Sequence, residues 1–316
     1  MAGEQKAKLG LALGSGAARG WALIGILKQL DLMGLKPDVI VGCSIGSLVG
    51  AAYCTEKLDD LETWVRTLDT WQVIRLLDWG MGQGGMVSGS KLFTQLENTL
   101  GSTKIEDCST EYAAVATELY TGREHVFSEG SMLDAIRASC AIPGVLAPQF
   151  INQHWMIDGA VVNPVPVSVC RAMGATHVIA VDLNSGKPQP LSNPHDILYT
   201  DANEIAPELH PDQPNKFQDL LGNSKNFIDN IIKKRKASAE PSAPGFMAVA
   251  NGAIDIMQNR ITRSRLAADP PDILIQPKVT HIGIMEFNRA QEAIDIGQSS
   301  VMQISHLLDE YVGLFK

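Results

Sequence analysis

The 316-residue chain is 45% hydrophobic and 19% charged, enough length and apolar content to bury a substantial core, which excludes global disorder. Its formal net charge of -9 excludes nonspecific binding of nucleic acid. Five cysteines without CxxC spacing read as free thiols of a reducing compartment and exclude a zinc signature.

The N-terminus places lysines before an apolar stretch. That stretch runs only from Leu9 to Leu13, short of the about 7–15 residues of a secretory core. The expectation is a cytoplasmic protein, with at most peripheral contact at the inner membrane face. "KLGLALGSGAARG" reads as a short strand ending in a glycine-rich turn. In "GWALIGILKQLDLMG" the apolar Leu23, Ile26, Leu27 and Leu30 have helical spacing, with Gly34 as the stop. "PDVIVGCS" is a β-branched strand and "SIGSLVGAAYCTEKL" a helix. Strand–turn–helix repeated twice predicts an α/β fold, a parallel sheet with covering helices.

Residues 57–105 read as mostly helical, interrupted by "GMGQGGMVSG", a glycine-rich loop. "YAAVATEL" and "REHVFSEG" form a hairpin turning at Thr121-Gly122. "SMLDAIRASCAIPG" is a helix that runs into Pro143, "HWMIDGAVVNPVP" a strand and tight turn, and "THVIAVDL" a buried strand. From about 184 to 216 the chain turns rich in Pro, Asn and Asp, as a long loop or insertion does. Next, Phe227, Ile228, Ile231 and Ile232 stand beside Lys233, Lys234, Arg235 and Lys236. Such a segment is either a membrane-surface helix or a solvated helix end before a linker. A helix over about 246–266, a strand "DILIQP" and an amphipathic helix over about 286–314 complete the chain.

Three constellations carry chemistry. Gly42-Cys43-Ser44-Ile45-Gly46 is a G-x-S-x-G pattern between an apolar strand and a helix. A serine on so sharp a turn exposes its hydroxyl, and small residues two positions away make room for the elbow. The helix start beneath it offers unpaired N–H groups to a developing anion. Gly14-Ser15-Gly16-Ala17-Ala18-Arg19-Gly20 also joins a strand to a helix. It reads as a dinucleotide turn, as a loop of N–H donors for an oxyanion, or as a plain tight turn. The spacing is GxGxxxG, and "VIVGCS" ends without the acid that a ribose needs. Asp158-Gly159-Ala160 places an aspartate at a strand end, as a turn former or as a base. A serine nucleophile needs a base, yet none of the seven histidines (125, 154, 177, 195, 210, 281 and 306) sits in a motif.

"GSGAARG", "GCSIG", "ASCAIPG" and "DGA", in that order, make the chain resemble the bacterial patatin-like phospholipases, the family that includes the catalytic domain of neuropathy target esterase. The resemblance runs from about Leu9 to Leu183. It implies a three-layer α/β/α sandwich with a mainly parallel sheet. It further implies one hydrolase domain over 1–316: a motif-bearing core at about 9–183, a loop or insertion at about 184–245, and a C-terminal strand and helices at about 246–316. The implied activity is serine acyl-ester hydrolysis of a phospholipase, lysophospholipase or esterase type, without cofactor or metal. The implied partner is a lipid acyl ester, and homo-oligomerisation stays open. Ser44 takes the role of nucleophile and Asp158 that of general base. The N–H groups of Ser15, Gly16 and Ala17 form the oxyanion hole, supported by Gly14, Arg19, Gly20, Gly42, Gly46 and Gly159. Ser15 and Ala17 interrupt what is a glycine run in many members. Arg19 would draw a phosphate head group or make a structural salt bridge. Two rivals stay open: a patatin-shaped regulatory adaptor and a nucleotide-binding oxidoreductase.

Overall fold

The computed structural model describes residues 7–76, 79–82, 85–87, 89–185 and 246–315. The chain divides into two compact units, residues 1–186 with 256–316, and residues 187–255. Of the second, the described part is 246–255, which is helical. The expected basic segment at 225–236 and nearly all of the loop expected at 184–245 lie outside the described residues.

In the first unit β1 (Leu9–Leu13) leads through a 3-10 turn (Ala17–Trp21) into α1 (Ala22–Leu32), and β2 (Val39–Cys43) leads into α2 (Ile45–Cys54). Helices α3 (Leu58–Arg66) and α4 (Thr70–Leu76), strands β3 (Trp79–Gly82) and β4 (Gly85–Val87), and α5 (Ser90–Leu100) follow. Then come β5 (Glu111–Glu118), β6 (Glu124–Phe127), α6 (Met132–Ser139), β7 (Gly144–Leu146), β8 (Gln149–Ile151) and β9 (His154–Asp158). The last elements are α7 (Val167–Ala172), β10 (His177–Val181), α8 (Phe246–Ala268), β11 (Ile273–Ile275), α9 (Ala290–Gln303) and α10 (Ser305–Val312).

The main sheet has the order β11-β10-β1-β2-β5-β9-β8, with β6 also on β5. From β11 to β5 every pairing is parallel. Strand side chains alternate between faces. Leu9, Leu11, Leu13, Ile40, Tyr112 and Ile179 therefore pack on one face, under α1 and α2. Ala12, Val39, Val41, Ala113, Val115 and Ala180 pack on the other, under α7. These are the three layers of an α/β/α sandwich.

The register of β5 explains how the chain gathers a site. On one side, β6 occupies Ala114 to Thr117. On the other, β2 runs parallel and ends with Cys43 opposite Val115. Antiparallel β9 pairs with Ala116 to Glu118, and the side holding β6 is already taken, so β9 follows β2 along the same edge. It ends with Asp158 opposite Ala116. Two strands thus meet carboxyl end to carboxyl end, which brings together residues 44 and 158.

Three expectations need correction. "GMGQGGMVSG" is no loop: β3 and β4 run through it and join β7 in a second, three-stranded sheet. Helix α6 stops at Ser139, four residues before Pro143. The C-terminal helix breaks into a 3-10 turn (Phe287–Arg289), α9 and α10, with the break at Ile304.

Helix α9 crosses α1 at unusually close range. A Cβ on Gly297 would overlap the Ala22 carbonyl, and one on Gly25 would overlap that of Ile294, both well under 3.0 Å. Gly297→Ala is therefore a test of sign. In an open helix Ala gains about 1 kcal/mol over Gly, whereas overpacking costs about 1–3 kcal/mol. Here the obstacle is backbone and cannot rotate away. The urea midpoint should fall at unchanged slope, corresponding to a loss of about 2 kcal/mol in unfolding free energy; a raised midpoint would show that the crossing has slack.

Candidate active site

Ser44 sits where β2 turns into α2, with φ 54° and ψ -125°. A non-glycine residue there stores about 1–3 kcal/mol of strain, so the surroundings must hold it. Its N–H donates to Ser139 Oγ (2.8 Å), whose hydroxyl donates to the Val115 carbonyl (2.6 Å). Its carbonyl accepts from Ser47 Oγ (2.6 Å), and Tyr112 Oη donates to the Ser47 carbonyl (2.9 Å). All of these bonds are buried, so their donors and acceptors have no water to fall back on.

Asp158, only 3% exposed, closes β9. Its Oδ2 accepts from Ser44 Oγ at 2.6 Å, and its Oδ1 accepts from the Ala160 N–H at 2.8 Å. Its own N–H donates to the Ala141 carbonyl (2.9 Å), and its carbonyl accepts from Thr117 Oγ1 (2.9 Å). Burial pushes the carboxyl up to about 6, while the bonds from Ser44 and Ala160 pull the other way. At pH 7 and above it is chiefly the anion.

Of the seven histidines, 195 and 210 lie outside the described residues. His154 bonds Glu118, His177 bonds Thr176, His281 bonds Glu292 and His125 packs on Phe127. Among the described residues, no histidine hydrogen-bonds to Ser44 or Asp158.

The first glycine loop follows β1. The Gly14 N–H donates to the Val181 carbonyl (3.1 Å), the Ser15 N–H to that of Pro164 (2.9 Å) and the Ala18 N–H to that of Ile284 (3.1 Å). Ser15 therefore leaves the expected donor set, because its N–H is already spent. Among the described residues the N–H groups of Gly16, Ala17 and Ile45 meet no acceptor. Ala17 holds φ 48°, the left-handed conformation that a glycine takes more readily. Arg19 is buried; its Nε donates to the Ile282 carbonyl (2.8 Å) and its Nη1 to Asn184 Oδ1 (3.0 Å). That corrects the head-group reading: the guanidinium is turned inward and holds protein carbonyls.

The supporting glycines act by allowing contact. A Cβ on Gly159 would overlap the Val115 carbonyl, and one on Gly20 would overlap the Ile45 side chain. Ser44 and Ala17 both line a cavity of about 100 Å³. Its other walls include Leu48 of α2, Leu92, Phe93 and Leu96 of α5, and Phe287. Ser44, Ala17 and Ile45 thus stand in the wall of an apolar space, with the Asp158 carboxylate hydrogen-bonded to Ser44.

Ser139, Ser47 and Tyr112 escaped the sequence reading. "ASCAIPG" flagged the neighbourhood of Ser139, but a small residue on a helix signals packing as readily as a hydrogen bond.

A model of the patatin-like phospholipase family matches residues 11–171, a span holding all four motifs. The chain is 30% identical to an uncharacterized NTE family protein of Mycobacterium tuberculosis, over 95% of this chain and 92% of that one. It is 31% identical to neuropathy target esterase sws of Drosophila melanogaster, over 65% of this chain and 15% of that one. It is 32% identical to patatin-like phospholipase domain-containing protein 7 of Rattus norvegicus, over 60% of this chain and 14% of that one.

Proposed function

Because the chain belongs to the patatin-like phospholipase family, we propose that it is a serine hydrolase of lipid acyl esters working through a Ser44–Asp158 dyad. The observation that carries the reading is the 2.6 Å hydrogen bond to a buried carboxylate from the Oγ of Ser44, a residue that lines an apolar cavity.

Ser44 Oγ attacks the ester carbonyl carbon as its proton passes to Asp158 Oδ2. The carbonyl oxygen becomes an oxyanion facing the N–H groups of Gly16, Ala17 and Ile45. Such donors are preorganised and need no rearrangement as charge develops, and losing one typically costs about 3–4 kcal/mol. The tetrahedral adduct expels the alcohol, which takes the proton from Asp158. Water then attacks the acyl-enzyme, with Asp158 again accepting a proton, and the acid leaves with Ser44 restored. An aspartate near its ordinary pKa is a feeble base at neutral pH; one raised to about 6 is both ionised and basic enough to work. The apolar walls suit the acyl chain, and its burial contributes about 0.8 kcal/mol per methylene.

Labelling the folded protein with a fluorophosphonate and mapping the adduct tests this reading. Modification at Ser44, lost in Ser44→Ala, is the expected result. A folded protein that is never modified would favour a regulatory, non-catalytic role.

A further inference from the structure

One wall of the cavity lies outside the family match. The match ends at residue 171, whereas Met285 and Phe287 line the cavity beside Ser44. Both belong to the stretch between β11 and α9, whose regular structure is limited to the 3-10 turn Phe287–Arg289. Its course is therefore set by anchors.

On one side those anchors run to the first glycine loop and the turn after it. Ala18 N–H reaches the Ile284 carbonyl, Arg19 Nε the Ile282 carbonyl and Trp21 Nε1 the Phe287 carbonyl (3.2 Å). The rings of Trp21 and Phe287 meet edge-on at 5.9 Å. On the other side Arg289 bridges Glu286 (2.9 Å) and Glu292 (2.7 Å), and Glu286 accepts from the Gly283 N–H (2.7 Å). The segment is strapped across the loop that carries the open N–H groups, with two side chains turned into the cavity. Met285 is 39% exposed and stands at the rim; Phe287 is half-buried and forms inner wall.

We infer that this strap selects the acyl chain: Met285 and Phe287 set the chain length that the site accepts. The inference rests on the hydrolase reading above. An acyl group with its carbonyl carbon at Ser44 has its tail directed among these walls. At about 100 Å³ the space, which is partly open to solvent, is smaller than the roughly 150 Å³ cavity that holds one benzene. Only a short acyl segment fits within it, and a longer tail competes with the Met285 and Phe287 side chains for room. Each further methylene enclosed adds about fourfold to binding, so shortening either side chain should favour long chains selectively.

The test is kcat/KM for p-nitrophenyl butanoate, octanoate and dodecanoate with the full chain, Met285→Ala and Phe287→Leu. The dodecanoate-to-butanoate ratio should rise at least fivefold in each variant. A ratio unmoved within twofold in both, even with lower overall rates, overturns the inference, because a merely structural role depresses all three esters alike. Should wild-type hydrolysis not depend on Ser44, the hydrolase reading fails instead. The strap is then tested by displacing a bound fluorescent fatty acid with butanoate and dodecanoate. The same fivefold change in relative affinity is expected, and an unmoved ratio overturns the inference.

Discussion

Asp158→Asn is expected to cut ester hydrolysis roughly a thousandfold and, at neutral pH, to make the protein more stable. An amide cannot take the Ser44 proton, and general-base catalysis is typically worth about 10²–10⁴-fold. Hydrolysis of p-nitrophenyl butanoate should fall by roughly three orders of magnitude on that basis. The stability gain follows from the carboxyl's raised pKa, about 6 in the folded protein. The folded state holds this proton more tightly than the unfolded chain does. The associated stability is complete below about pH 4 and is lost as the pH rises through about 6. Above that, the fold carries a buried anion at a cost of about 3 kcal/mol. Asparagine keeps an oxygen for the Ala160 N–H and offers an N–H to Ser44 Oγ, without charge. Urea unfolding at pH 8 should thus show the variant about 2–3 kcal/mol more stable, with the gap closing by pH 4. A variant less stable at pH 8 would mean that Asp158 holds the fold together rather than straining it. In the wild type, kcat/KM should rise through about pH 6 as the base ionises. Stability given up to keep a reactive group is a familiar trade.

Much of this was legible because it was local. β1, β2 and β10 announced themselves as charge-free apolar runs between turn signals, and the hairpin at Thr121-Gly122 by its glycine, which adopts φ 67°. What escaped depends on distant partners. "GMGQGGMVSG" has poor strand propensity and becomes strand only beside β7, about sixty residues on. Nothing in the sequence near Ser15 tells that its N–H is spent on Pro164. The meeting of Ser44 with Asp158 came from a family resemblance, not from spacing. Its physical cause is that β6 fills one side of β5 and leaves β9 only the edge where β2 stops. The break at Ile304 has neither proline nor glycine to mark it.

Gly46→Ala is expected to lower kcat/KM at least a hundredfold without unfolding the sheet. Gly46 is the second residue of α2, and a Cβ there would stand 2.2 Å from the Leu13 carbonyl oxygen and 2.9 Å from that of Gly14. Backbone cannot rotate aside as a side chain can, so helix and strand must separate. Ser44 rides on the helix, while Gly16 and Ala17 follow that strand by three and four residues. On the proposed mechanism, the substitution therefore pries Ser44 from the open N–H groups of Gly16 and Ala17. A misplacement of about 1 Å at such a site costs about 10²-fold. Gly50→Ala is the control, one turn further along the same helix. Its Cβ would approach the Ile40 side chain at 2.8 Å and Leu13 Cδ1 at 3.3 Å. Those atoms belong to side chains, and repacking them costs about 1–3 kcal/mol of stability without moving the elbow. Fluorophosphonate labelling of Ser44 should slow in parallel with hydrolysis in Gly46→Ala and stay near the wild-type rate in Gly50→Ala. Equal losses in both would mean that α2 is merely overpacked. Loss in Gly46→Ala alone would mean that the second glycine of G-x-S-x-G keeps the helix seated against the oxyanion loop.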